Sequence, residues 1–239
     1  MKTFKTLFFS GLLLLQAAII PAQTADQIIE KYLAAIGGRD MLKKVNSVYI
    51  ESTVDAMGMQ MPQKITILNG VGYKQEIDVM GSLLVNCFGA SSGWTINPFA
   101  GMTSAENMPE NQYKEGKDQI YIGAPFSVIK EKGYKLELAG NEDVKGISAA
   151  KVKLTSSDGV TTFHYFDPQT GFLIKSLQQG EMEGQPVEIT VMYEDYKTVE
   201  GLMIPFRTYT SIGSMFEMNN TVTKVEINKP VDPSVFIKP

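Results

Sequence analysis

Three β-rich runs fill Gln185 to Asn228, and the gaps between them are too short to hold a helix. The first contains Pro186-Val187-Glu188-Ile189-Thr190-Val191-Met192-Tyr193, the second follows Glu200-Gly201 as Leu202 to Thr210, and the third runs from Phe216 to Ile227. Parallel strands need a crossover of about a dozen residues or more, so each run must pair antiparallel with the next. In the third run Val222, Lys224 and Glu226 alternate with Thr221, Thr223, Val225 and Ile227. Mixed faces at a period of two predict a sheet with one side on a core and the other nearer solvent.

Upstream the same pattern repeats. Ile28, Ile29, Tyr32 and Leu33 recur at helical spacing, which predicts a helix over Ala25 to Ala35, ended by Gly37-Gly38 and followed by a short helical piece from Arg39 to Lys44. From Val45 the chain reads as strand: Val48 to Ile50, Met61 to Leu68, Val71 to Met80, Leu83 to Phe88 and Gly93 to Ile96. Asn69-Gly70 predicts a two-residue hairpin turn, since both residues accept the positive φ of a type I′ turn. Beyond Gly133 further hairpins are expected, with turns at Ser157-Asp158-Gly159, Asp167 to Gly171 and Glu183-Gly184. The interruption is central. Phe99 to Gly116 lacks periodicity, and Asp118 to Ile129 reads as a helix disturbed by Pro125.

The fold expected is mainly β: a curled, unclosed antiparallel sheet of about eleven strands, with helices covering its concave face. A closed barrel of that many strands would be too wide for its own side chains to plug. The two N-terminal helices and the central insert supply the missing filling, and a core built this way retains an apolar cavity.

Lys2 and Lys5 precede an apolar stretch from Leu7 to Ile20, and Ile20-Pro21-Ala22 offers a cleavage site before Gln23. Residues 1–22 therefore read as a signal peptide, and 23–239 as one exported domain. A stretch of fourteen residues falls short of the roughly 20 that span a bilayer. Without Lys2 and Lys5 the remainder carries 20 basic against 26 acidic residues and has no basic cluster, which argues against nucleic acid as a partner. The lone Cys87 excludes a disulfide framework and points to a periplasm-like compartment. Between Val85 and Phe88 it reads as a core residue.

Little in the chain suggests catalysis. His164 is the one histidine, and it reads as a packed or sheet-surface residue. One His and one Cys do not make a zinc site, and Asn141-Glu142-Asp143 reads as a hairpin turn more than a calcium loop. No nucleophile elbow, HExxH, P-loop or dinucleotide fingerprint occurs, so no catalytic, metal or cofactor residue is nominated.

The unusual feature is methionine, with 13 in 239 residues. Met57, Met59 and Met61 fall at a period of two in the first hairpin. Unbranched and polarisable, methionine suits surfaces that accept variable apolar partners. Met57, Met59 and Met61 are thus the expected wall of a ligand cavity, with Trp94, Phe99, Met102 and Met108 closing over it. Ordinary core packing is the competing explanation.

Several segments resemble the outer-membrane lipoprotein-sorting proteins, the carrier-like family of the periplasmic chaperone that ferries lipoproteins between membranes. They are Ile28-Ile29-Glu30-Lys31-Tyr32-Leu33-Ala34-Ala35-Ile36-Gly37-Gly38, Gly93-Trp94 before a Pro-containing insert, Tyr165-Phe166-Asp167-Pro168-Gln169-Thr170-Gly171-Phe172-Leu173-Ile174, Tyr193-Glu194-Asp195-Tyr196, Val199 to Phe206, and Val225 to Phe236. The chain departs from the family's carrier in having no arginine between Arg39 and Arg207. The resemblance implies a helix-covered half-barrel with an apolar cavity. It also implies a monomeric, non-enzymatic periplasmic protein that binds or carries a lipid or lipoprotein acyl chain, in exchange with an envelope membrane protein. A hydrolase of a cell-envelope polymer and a structural envelope protein are the alternatives.

Overall fold

The computed structural model describes residues 23–182, 185–214 and 216–239. The expected signal peptide, 1–22, and the expected turn at Glu183-Gly184 lie outside these residues. The chain begins with helices α1 (Ala25–Ala35) and α2 (Arg39–Lys44), then strands β1 (Ser47–Ala56), β2 (Met59–Leu68), β3 (Gly72–Val79), β4 (Ser82–Gly89), β5 (Gly93–Ile96) and β6 (Glu106–Asn107). Helices α3 (Glu110–Gly116) and α4 (Ile129–Lys132) follow. The rest is β7 (Lys135–Val144), β8 (Ile147–Thr155), β9 (Thr161–Phe166), β10 (Leu173–Met182), β11 (Gln185–Val199), β12 (Leu202–Ile212) and β13 (Phe216–Ile227).

All thirteen strands form one sheet in the order β6-β5-β4-β3-β2-β1-β13-β12-β11-β10-β9-β8-β7. The chain therefore starts in mid-sheet, winds to one edge and crosses to the opposite edge. It then winds back until β13 pairs with β1. The stretch between β5 and β7 makes that crossing. β6 and β7 lie at opposite ends of the strand order and do not pair, so the sheet stays open. The sequence predicts about eleven strands; the count differs partly because β6 lies in the stretch read as irregular.

Two-residue turns set much of the register. Met57-Gly58, Met80-Gly81, Lys145-Gly146 and Glu200-Gly201 each have positive φ at both positions, the type I′ geometry that matches strand twist. The expected turn at 141–143 moves accordingly, because Asn141 to Asp143 belong to β7 and the reversal falls at Lys145-Gly146. Asn69-Gly70 also differs from expectation. Leu68 pairs with Gly72, leaving a three-residue loop in which Gly70 alone has positive φ. Asn69 uses its side chain instead, donating from Nδ2 to the Val45 carbonyl at 3.0 Å and accepting the Ile122 N–H on Oδ1 at 3.1 Å.

Alternation alone misassigns one face of β13. It places Val222 opposite Val225 and Ile227, but the β1–β13 register shifts between Glu51 and Ser52. Ile50 pairs with Val225 and Ser52 with Val222, leaving Thr223 as the extra residue, its hydroxyl donating to the Glu51 carbonyl at 3.1 Å. The bulge brings Val222, Val225 and Ile227 onto one side of the sheet.

Helix α1 fills one end of the concave face. Thr24 and Gln27 form a reciprocal capping box at its start. Ile28, Ile29, Tyr32 and Leu33 then pack on Val48, Ala150, Val152, Leu154, Phe166, Leu173, Leu202 and Ile227. A second layer lies elsewhere: the C-terminal turn Pro233–Phe236 joins Val85, Cys87 and Trp94 in a separate cluster. The Phe236 carbonyl accepts the Trp94 indole N–H at 2.9 Å, and a Cβ added at Gly72 would stand 2.3 Å from the Phe236 ring. Cys87 is fully buried here, and burial raises its thiol pKa to about 12, so the core reading holds.

Phe236→Ala should destabilise the protein by about 3 kcal/mol, the usual cost of emptying an aromatic core site. Trp94 is the one tryptophan. Its emission should shift to the red as the C-terminal turn loosens, at urea concentrations below the main transition. Unchanged emission and an unchanged urea midpoint would show that this turn does not seal the outer layer.

Candidate ligand cavity

The insert approaches the inner side of the sheet without filling it. A cavity of about 580 Å³ remains between them, within the roughly 300–1,000 Å³ of typical small-molecule sites. One wall is aliphatic: Val48 and Ile50 of β1, Ile67 of β2 and, beside them, Tyr73 of β3. The opposite wall comes from β9 to β11 and carries Thr162, His164, Ser176, Gln178, Val191 and Tyr193. Helices α1 and α2 contribute Tyr32 and Leu42, and the insert closes over with Tyr121 to Pro125. Glu115 and Gln119, also on the lining, are exposed and mark the mouth.

Specific contacts hold the insert over this space. Gly70 N–H donates to the Ile120 carbonyl at 2.8 Å beside the Asn69–Ile122 bond, which ties the insert to the β2–β3 loop. Lys117 pairs with Asp158 in the β8–β9 loop, and the Tyr134 hydroxyl donates to Asp118. Phe126 anchors the centre. Its ring packs 5.1 Å from Tyr32, 5.5 Å from Phe166 and 4.8 Å from His164, edge-on in each case.

The seven residues expected to form the wall and lid lie elsewhere, and none is on the cavity lining. Met57 occupies a turn and is 79% exposed, because the type I′ geometry removes it from the strand face. Met59, 37% exposed, and buried Met61 do share a face of β2, but toward the far end of the strand from Ile67. Met61 packs there with Val54, Ala56, Phe216 and Met218. Trp94 lies under Phe236, Phe99 is 64% exposed in a short 3₁₀ turn, and Met102 is half-buried in the loop after it. Met108 is buried with Tyr73, Phe88 and Ile120, one layer behind the lining residue Tyr73. The insert does close the cavity, but through 114–125 and not through 99–108.

His164, which the sequence reads as a packed or sheet-surface residue, is on the cavity lining. It is 7% exposed, and its Nε2 lies 2.8 Å from the Thr162 hydroxyl. Nδ1 is buried with no hydrogen-bond partner among the described residues. Burial lowers the imidazole pKa from 6.5 to about 3, so the ring is neutral at neutral pH. Other buried polar groups on the sheet are satisfied. Gln63 donates to Ser52 at 3.0 Å and accepts from Gln75 at 2.9 Å, and the Thr95 hydroxyl donates to the Val85 carbonyl at 2.8 Å. Among the described residues no group of three or more His, Cys, Asp or Glu is placed to hold a metal ion, and no helix is long and apolar enough to cross a membrane.

No family model matches the chain, and no curated protein matches it. Solved structures do. A LolA superfamily protein from Nitrosomonas europaea superimposes with a TM-score of 0.60 at 14% identity, covering 91% of this chain and 99% of the other. An outer-membrane lipoprotein-sorting protein domain from Vibrio parahaemolyticus gives a TM-score of 0.56, 14% identity, and 89% and 95% coverage. A DUF1329 family protein from Desulfovibrio piger gives 0.59, 12%, and 90% and 98%. The fold is that of the LolA-like, lipoprotein-sorting structures. The identities are low enough that the likeness concerns the fold and does not assign the chain to one family.

Between about pH 6.5 and the folded-state value near 3, the unfolded chain binds a proton at His164 that the folded protein does not. Stability from this residue is therefore complete above about pH 6.5 and falls as pH drops. From about pH 7 to about pH 5.5 the loss should be about 1 kcal/mol. Urea unfolding of wild type and of His164→Gln across that range should show the extra slope in wild type alone. Parallel curves would place the ring in contact with water.

Proposed function

We propose that the protein binds an acyl chain of a lipid or lipoprotein in this cavity and carries it through the periplasm, without covalent chemistry, as a monomer that exchanges cargo with an envelope membrane protein. One observation carries the reading: a cavity of about 580 Å³ with an aliphatic wall persists under a crossing insert that could have been packed shut. Each methylene withdrawn from water contributes roughly 0.8 kcal/mol, so Val48, Ile50, Ile67 and Leu202 offer an alkyl chain a favourable place to lie. Support for the compartment comes from the expected signal peptide and from the likeness to a lipoprotein-sorting domain and a LolA superfamily protein. The missing arginine between Arg39 and Arg207 separates this chain from the carrier its sequence resembles, which favours a different lipidic cargo.

Mass spectrometry of organic extracts from natively purified protein should reveal a stoichiometric lipid. Ile67→Gln should weaken binding of a fluorescent fatty-acyl probe about tenfold, the loss of roughly two methylene contacts. Met59→Gln, remote from the wall, should leave affinity unchanged. A protein that yields no lipid and binds no probe would end the carriage reading. Loss of affinity in Met59→Gln with none in Ile67→Gln would return the site to the methionines.

A further inference from the structure

Two tyrosines open onto the cavity from different elements. Tyr32 comes from α1 and Tyr73 from β3, and both line the cavity while only 9% and 8% exposed. Packing fixes their rings. Tyr32 stands 5.1 Å from Phe126 and 5.4 Å from Phe166, and Tyr73 lies 6.1 Å from Phe88. Neither hydroxyl has a hydrogen-bond partner among the described residues. Burial raises the pKa of both, helped at Tyr32 by the neighbouring Tyr193, so both remain protonated donors. Among the described residues the polar side-chain atoms both sealed off and unpartnered are Ser127 Oγ and His164 Nδ1. The Tyr32 and Tyr73 hydroxyls are not among these, so each keeps accessible surface. On cavity-lining residues buried this deeply, that surface is the cavity's.

The cavity therefore has O–H donors to spare. Ser176 and Tyr193, also on the lining, hold each other at 3.0 Å, a bond that uses one of their two hydroxyl protons. The other proton, like those of Tyr32 and Tyr73, has no acceptor among the described residues. A purely apolar chain filling the space would strip these hydroxyls of water and return nothing, which is the costly way to bury a polar group. A carbonyl oxygen supplies the missing acceptor. A carboxylate would enter without a counter-charge, because no arginine lines the cavity, Lys114 is paired with Glu110 at 2.6 Å, and Asp118 adds negative charge.

Resting on the carriage reading, we infer that the hydroxyls of Tyr32 and Tyr73, with the Ser176–Tyr193 pair, are hydrogen-bond donors to the carbonyl oxygens of a neutral acyl ester or amide. The alkyl part of that ligand lies along Val48, Ile50 and Ile67. The donors select a carbonyl-bearing acyl chain over a plain hydrocarbon.

The test uses methyl dodecanoate and a straight-chain alkane of matching length as competitors of a bound fluorescent fatty-acyl probe. Comparing the ratio of their affinities between proteins cancels their difference in water solubility. Tyr32→Phe and Tyr73→Phe remove the hydroxyl and keep the ring. In at least one of them the ester-to-alkane ratio should fall about fivefold, the loss of one hydrogen bond. Alkane affinity and the urea midpoint should not fall, because the hydroxyl has no protein partner to lose. A second measurement needs no variant. The stretching band of a ¹³C-labelled ester carbonyl should lie at lower frequency in the wild-type complex than in alkane solvent. An unchanged ratio in both variants, or a carbonyl band at its alkane position, would overturn the subsite and leave carriage standing. A lowered urea midpoint in both variants would show that the hydroxyls bond within the protein, and would overturn the subsite as well. Failure of the probe and both competitors to bind would overturn carriage and the subsite together.

Discussion

Phe126 is the contact on which the cavity depends. An open sheet with an apolar concave face is unstable in water until something covers it, and the crossing between β5 and β7 is the piece of chain available to span both edges. Phe126 fixes that crossing by entering an aromatic group made of Tyr32 from α1 and Phe166 and His164 from β9. Such edge-on pairs contribute about 0.5–1.5 kcal/mol each beyond the area they bury. Phe126 acts together with the ties from Ile120 and Ile122 to the β2–β3 loop and from Lys117 to Asp158, and between these contacts the chain through Tyr121 to Pro125 passes over the sheet and leaves space beneath.

The same arrangement explains why His164 is tolerated where it is. Its ring fills the position that Phe126 packs against, and Thr162 satisfies one nitrogen. The second nitrogen faces a cost that an apolar residue would avoid. Elsewhere on this sheet buried and half-buried polar side chains form a ladder of partners, Thr95 with Asn86, Asn86 with Gln75, Gln75 with Gln63 and Gln63 with Ser52. That ladder is self-sufficient and stiffens the β1–β5 side, whereas on the β9–β11 side His164 Nδ1 has no partner among the described residues.

Much of the architecture was legible in the residues. Short gaps around Glu200-Gly201 forced antiparallel pairing, and the helical period of Ile28, Ile29, Tyr32 and Leu33 located α1 over the range observed. Local signals failed where a residue had a second partner. Asn69-Gly70 did not form the two-residue turn because Asn69 holds Val45 and Ile122 at once. Val222 did not follow simple alternation because Thr223 bulges out of the β1 register. The methionines misled for a related reason: their polarisable side chains suit a ligand wall, but Met57 was claimed by a turn whose geometry leaves it in solvent.

By itself the sequence determined a meandering antiparallel sheet, one N-terminal helix and a single long interruption, because alternation, helical period and turn residues act over a few neighbours. Only the tertiary structure decided where the concave face is covered and where it is hollow. Val48, Ile67, His164, Ser176 and Tyr193 come from strands far apart in the chain, and their alternation is the same as that of residues in the filled core. What distinguishes them is the path of the insert overhead. That path is set by the buried ring of Phe126, by the polar ties of the insert to the β2–β3 and β8–β9 loops, and by the edge-to-edge crossing, none of which leaves a periodic mark in the chain.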